Sequence, residues 1–557
     1  MDGRQSVQRV FRRFCPITRG NGVRFHERSR RVCGAAGLHA RTSSARRGVV
    51  LYIVAIVLVI LALGGTSLLI LMRTEHEATL TDSGQVQLAA AGDSLVAAAI
   101  ALCELTPDER RAHGGLANNP EFFRQVPIAT TATGSVSNVS ATFLAPVLSG
   151  DAIAGIQYGL SNESSRLHLG SVLEWDEAEP GTGRQILLKL PGMTPEMADS
   201  LLDWIDADES PRPLGAEAAW YHREQLPYSP RNALPVFLDE LLLVRNVTRR
   251  ELYRNNTDFT YTPEAGEENV PIDLEELDAQ PLARDARELP WSLLLTVFSA
   301  EKDVDPHGVA RIDLNGEDLA FLYREISDRF DRETARFVVL ARQYGLTADA
   351  GSARTARAEG ARDVSESGED PDFSLPAKYQ FQTPLDLIGT QVRIPGQPRR
   401  LWPRSPFPAT GGDHDRLLLW LDIASTSRTT VITGRVNVNE APRVLLEAIP
   451  GLTPVMAGRI IQRRPRVGEE VPREYRHPIW LWQEKIVDLA TMKQLWPKVT
   501  CGGDVFRGQV IAFSDRQATH VRREVVLDST VQPPRIVFNK DLTMYGRGWP
   551  RELLIKP

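Results

Sequence analysis

Cysteine is scarce in this 557-residue chain, and none of Cys15, Cys33, Cys103 and Cys501 stands at CxxC or metal-ligand spacing from another. A zinc cluster or a thiol redox pair is therefore not expected. A Cys103–Cys501 disulfide stays open in an oxidising compartment, but two unpaired buried thiols are the simpler expectation. Also missing are the GxSxG elbow, the P-loop, HExxH and the Gly-rich dinucleotide fingerprint, and the ten histidines are scattered. No enzyme is expected. Lysine is absent from residues 1–47, where twelve arginines meet only Asp2 and Glu27. That local balance of +10 in a chain of formal charge −6 leaves −16 for the remainder. Such asymmetry points to a basic arm beside a membrane or nucleic acid, followed by an acidic body.

Charge of either sign is absent from "VVLYIVAIVLVILALGGTSLLILM", residues 49–72. As a helix these 24 residues reach about 36 Å, enough to cross a hydrocarbon core of about 30 Å. Arg41, Arg46 and Arg47 stand before the run and "RTEHE" after it, which puts the N-terminus in the cytoplasm. A cleaved signal peptide fits worse, since its apolar region is shorter and ends in an A-x-A-like site. In "SARRGVVLYIVAIVLVILAL" a basic stretch reaches Gly48 and the apolar run starts at Val49. This junction resembles the leader of type IV pilin-like proteins. The resemblance implies cutting between Gly48 and Val49 by a prepilin peptidase on the cytoplasmic face. Most members have Glu at the fifth mature position, where this chain has Ile53; among secretion pseudopilins, protein K typically lacks that Glu.

Further along, "LAAAGDSLVAAAIALCEL" continues a helix, and "SNVSATFLAPVL" and "AIAGIQYGLSNESSRLHL" alternate as strands do. A weak repeat follows: "SRLHLGS" (165–171), "ARIDLNGE" (310–317) and "GRVNVNEA" (434–441) each read as a short strand stopped before a helix. After the first and third copies come "LPGMTPEM" and "IPGLTPVM", two helices joined by a Pro-Gly turn, with Thr194 and Thr453 placed as N-caps. The middle copy lacks that turn. Its flanks, "PEAGEENVPIDLEELDAQPLARDARELP" and "ADAGSARTARAEGARDVSESGEDPDF", are poor core formers. The C-terminus returns to strands in "VFRGQVIAFSD", "HVRREVVLDST" and "PRIVFNKDL".

This order resembles type II secretion system protein K over most of residues 46–545. The resemblance implies an α+β fold: an N-terminal transmembrane helix and a pilin-like α/β domain with inserted all-α helix-hairpin-helix (SAM-like) modules. The expected segments are a basic leader at 1–48, the membrane helix at 49–72, and a pilin-like helix with first strands at 73–163. A first module at 164–258, an acidic linker and helix at 259–308 and a degenerate middle module at 309–346 follow. A disordered linker at 347–378, a last module at 379–500 and C-terminal strands at 501–557 complete the chain. The implied function is that of a minor pseudopilin capping the pseudopilus tip and helping initiate its assembly for protein export. Its implied partners are the minor pseudopilins I and J, the inner-membrane secretion platform and the peptidase. The implied place is the inner membrane, single-pass, with the bulk of the chain periplasmic.

The alternative is a membrane-anchored helix-hairpin-helix DNA receptor. DNA-gripping hairpins usually carry a G-x-G turn, whereas here Thr replaces the second Gly. Arg459, Arg463, Arg464 and Arg466 suit phosphate, but Asp199, Asp203, Asp206, Asp208 and Glu209 repel it, so nucleic acid is not the expected partner. The run "DWIDADE" sets Asp203, Asp206, Asp208 and Glu209 close together as hard oxygen ligands of the kind Ca²⁺ takes, without EF-hand spacing. A solvated helix end is the plainer alternative. Protein K relatives are known to bind Ca²⁺, which the resemblance extends to this chain without fixing the ligands.

Overall fold

The computed structural model describes residues 47–128, 139–149, 152–253, 289–348, 371–399, 402–466, 471–514 and 519–556. The expectations for the leader at 1–46, for residues 259–288 of the acidic linker and for 349–370 lie outside these residues.

Helix α1 runs unbroken as Arg47–Cys103. Its uncharged part is bare: Leu51, Tyr52, Ile56, Leu61 and Met72 are each more than half exposed. By length and composition this helix is able to cross a membrane. Its C-terminal part buries a stripe. Leu88, Leu95 and Leu102 recur every second turn, with Ala91 and Ala99 between them, and all five sit in a core shared with the strands below.

Those strands form an antiparallel sheet of seven among the described residues. They are β1 (Val126–Pro127), β2 (Val139–Ser149), β3 (Ala152–Tyr158), β4 (Ser161–Asn162), β5 (Val505–Ser514), β6 (His520–Asp528) and β7 (Arg535–Asp541). The order is β1-β2-β5-β6-β7, with β3 also on β2 and β4 also on β5. Val510 of β5 lies opposite Phe143 of β2, so distant segments of the chain share one ladder, and what lies between β4 and β5 is inserted into the sheet. Every residue of β5 is buried because both faces are covered. The α1 stripe lies on one face, while Trp549, Leu553 and Leu554 pack with Leu144, Ile511 and Phe513 in a separate core.

Each sequence repeat opens with a two-residue strand that pairs in parallel with a distant one. Leu167–His168 pairs with Leu295–Thr296, Ile312–Asp313 with Ala424–Ser425, and Val436–Asn437 with Val499–Thr500. The closing partner of the middle repeat thus comes from within 379–500, and that of the first from within 259–308. The first insertion contains α2 (Leu169–Ala178), α3 (Thr182–Leu187), α4 (Pro195–Ile205) and α5 (Ala218–Arg223). At both Pro-Gly turns the glycine takes a left-handed backbone, φ 73° at Gly192 and 103° at Gly451, which a side chain would strain. The threonines cap as the spacing predicts: Met197 N donates to Thr194 Oγ1 at 3.2 Å and Met456 N to Thr453 Oγ1 at 3.3 Å. In the middle copy Asp318 and Asp331 cap Leu319–Arg329 and Arg332–Tyr344 instead. One core runs through all three insertions, from Leu167 to Val499, and buries Trp204, Trp291, Trp420 and Trp480. The architecture is mixed helix and strand with one long apolar helix first.

Two of the arginines weighed for phosphate contact are engaged within the fold. Arg463 pairs with Glu484 at 2.8 Å, and Arg464 Nη1 donates to the Ala441 carbonyl at 2.6 Å. Cys103 and Cys501 are free thiols, and burial pushes Cys103 up to about 12.

Candidate functional site

Helix α4 presents Trp204 and Ile205 to the core and ends at Asp206, its C-cap. The chain then turns through 207–217 before α5 begins at Ala218. One guanidinium staples that turn. Arg212 Nη1 donates to Asp203 Oδ1 at 2.9 Å and to Asp206 Oδ2, while Nη2 donates to Asp176 Oδ2 at 3.1 Å. Asp176 belongs to α2, and its other oxygen accepts the Gly181 and Gly183 amides, each at 2.9 Å. The Arg212 amide meets both oxygens of Asp203 at 3.2 Å. Residue 215 has to be glycine here, because a Cβ would stand 1.8 Å from Asp203 Oδ2. Asp199, one helical turn earlier, accepts the Leu214 amide at 3.1 Å and pairs with Arg184 at 3.3 Å.

Beside the staple, Asp206, Asp208 and Glu217 each bring one carboxylate oxygen within 4.8 Å of the others. Glu217 is 3% exposed, yet neither of its side-chain oxygens has a hydrogen-bond partner, and Asp206 Oδ1 has none either. Unpartnered buried oxygens are unfavourable, and like charges around them make it worse. Burial lifts the Glu217 carboxyl to about 7, Asp203, Asp206 and Asp208 add to the shift, and the adjacent Ala218 amide works against it. Burial also raises Asp203 and Asp206, in both cases opposed by hydrogen bonds from Arg212.

Such a trio fits a hard dication. Three carboxyl oxygens converge with no cation of the protein's own on Glu217 or on Asp206 Oδ1, and a Ca²⁺-type ion with waters completing its shell would supply positive charge there. Of the four ligands expected from the sequence, Asp206 and Asp208 are brought together. Asp203 turns instead to Arg212, and Glu209 stays exposed outside the trio. Glu217 and Arg212 are the residues that sequence reasoning missed. The available signal was a carboxylate directly before α5, in "LGAEAAW", where the chain comes back past the end of α4.

The processing pair Gly48 and Val49 lies in the first turn of α1. Ile53, at the position where pilin-like chains carry Glu, is 55% exposed.

Residues 176–256, which contain Asp176, Arg212 and all three carboxylates of the trio, match the family model described as type II secretion system (T2SS), protein K. No curated protein matches the chain. Among solved structures, the crystal structure of the GspK-GspI-GspJ complex from the enterotoxigenic Escherichia coli type 2 secretion system is 11% identical. The match covers 83% of this chain and 98% of that one at a TM-score of 0.35, a likeness too loose to carry an argument about fold or partners. Through its match at residues 176–256, the chain carries a domain of the type II secretion system protein K family.

Proposed function

We propose that this chain is a minor pseudopilin of a type II secretion system, matured by cutting between Gly48 and Val49, that caps the tip of the pseudopilus and helps initiate its assembly. The observation that carries the reading is the division of α1. Its first half is bare, apolar and uncharged, while its second half is welded to an antiparallel sheet, and the sheet carries the protein K domain as an insertion. An uncharged helix of this length is a lateral assembly surface in a bilayer. A heterologous helical interface keeps adding subunits until something blocks it. A body enlarged by three insertions clashes with its own copies along a thin filament, so it fits at an end. Ile53 agrees, since a subunit with none ahead of it has no terminal amine for a Glu to meet. In this reading the helix is a single inner-membrane span with a cytoplasmic N-terminus and a periplasmic body. The partners are two further minor pseudopilins (proteins I and J), the secretion platform and the prepilin peptidase.

Asp206, Asp208 and Glu217 would hold Ca²⁺ in the periplasm, where the ion supplies charge that orders the turn between α4 and α5. The test of the main reading is Gly48→Ala. The variant should accumulate as uncut precursor, seen by mass spectrometry of the N-terminus, and secreted enzymes should stay in the periplasm. Normal maturation together with normal export would remove the reading.

A further inference from the structure

Asp206 is the one carboxylate that the staple and the trio share. Its Oδ2 is taken by Arg212, and its Oδ1 is buried with no partner. We propose that Arg212 is the positioning residue of the cation site: its guanidinium holds one oxygen of Asp206 so that the other is kept for the ion. Through Asp176 and Asp203 it also ties the ion's grip to α2 and α4. This rests on the cation reading above and concerns what orients the ligands.

Two effects of the guanidinium oppose each other. As a positive charge it repels a dication, and as a planar fork it presets a ligand. The charge is offset on the spot, because the same guanidinium is held by Asp203 and Asp176 as well as Asp206. Its remaining field at the trio is therefore small, while the geometry it imposes is not. Asp176 of α2 and both Asp203 and Asp206 at the end of α4 meet Arg212 in one fork, which leaves Asp206 little freedom to swing. Groups that orient a ligand in this way typically alter metal affinity by about 10–100-fold when changed. Lysine keeps the charge but is a point donor on a flexible stem and cannot reproduce the fork.

The experiment is calorimetric titration of CaCl₂ into the full chain, detergent-solubilised and stripped with EDTA, for wild type, Arg212→Lys, Asp203→Asn and Glu217→Gln. Arg212→Lys should bind Ca²⁺ about tenfold more weakly although it keeps a positive charge. Asp203→Asn, which loosens the fork and also removes one negative charge near Glu217 while leaving Asp206 itself unaltered, should weaken binding by a smaller factor. If the lysine variant does not fold, an unchanged Kd in Asp203→Asn overturns the positioning role. A purely structural staple would lower the metal-free melting temperature and leave the Kd of folded protein unchanged. That result, or tighter binding, overturns the positioning role. Silence from wild type, or Glu217→Gln binding as wild type does, overturns the cation reading itself and this inference with it.

Discussion

Gly92 on α1 and Arg523 on β6 are in contact: a Cβ at residue 92 would stand 2.9 Å from Arg523 Nη2. Arg523 uses that space to reach Asp93 at 2.7 Å and the Ala89 carbonyl at 3.1 Å, pinning the helix to the sheet beside the Leu88–Leu95 stripe. Alanine at 92 gains about 1 kcal/mol of helix propensity and needs only a small shift of a flexible side-chain end. Leucine needs Arg523 to leave. Gly92→Ala should be neutral within about 0.5 kcal/mol and Gly92→Leu should lose about 1–2 kcal/mol, read by denaturant unfolding. Equal midpoints for Gly92→Leu and wild type would mean that the pin contributes nothing.

Glu163 is wholly buried where the sheet meets the first insertion, and accepts from Arg166, Arg507 and Thr296. Burial works to raise its carboxyl, but the two guanidinium groups outweigh it and hold it at about 2. Glu163→Gln takes the counter-charge from Arg166 and leaves Arg507 with Glu524 alone, and should lower stability by about 3–5 kcal/mol. Since the folded-state value lies below the ordinary one of 4.5, this stabilisation is complete above 4.5 and is lost as pH falls toward 2. The gap between wild type and variant should therefore shrink on acidification; a gap that holds constant with pH counts against the ion network.

Glu217 has the opposite sign. With its carboxyl lifted from 4.5 to about 7, the folded chain holds a proton that the unfolded chain has released. Stability without metal should fall as pH rises through that window, by on the order of 1–3 kcal/mol. Saturating Ca²⁺ or the substitution Glu217→Gln should flatten the slope. Melting scans across the window, with EDTA and with CaCl₂, read both, and parallel curves in the two conditions would show that the carboxylate meets no ion.

Thr194 and Thr453 cap equivalent helices in the first and third insertions. Alanine at either should lower stability by about 1 kcal/mol, because one amide per helix loses its acceptor. The sites lie in different insertions with no shared partner, so the double variant should show the sum within about 0.5 kcal/mol. A markedly larger loss would mean that the two hairpins are coupled through the common core.

Much of this molecule was legible before any coordinates. The absence of charge over 49–72 and the apolar spacing after it specify one continuous helix, since a helix needs nothing beyond its own neighbours for its hydrogen bonds. Short runs rich in Val, Ile and Phe in "VFRGQVIAFS" and "HVRREVVLD" mark strands, and Pro-Gly-x-Thr-Pro marks a turn and a cap within five residues. All of these signals are local. Tertiary structure alone decided that each repeat closes on a parallel partner, the nearest of them 63 positions away at Val499–Thr500. It also decided that Asp203 faces Arg212, and that Glu217 stands beside Asp206 and Asp208. Local periodicity says which side of an element is apolar. Which distant carboxylate arrives at that side, and whether a guanidinium is already there to meet it, depends on how separate elements pack.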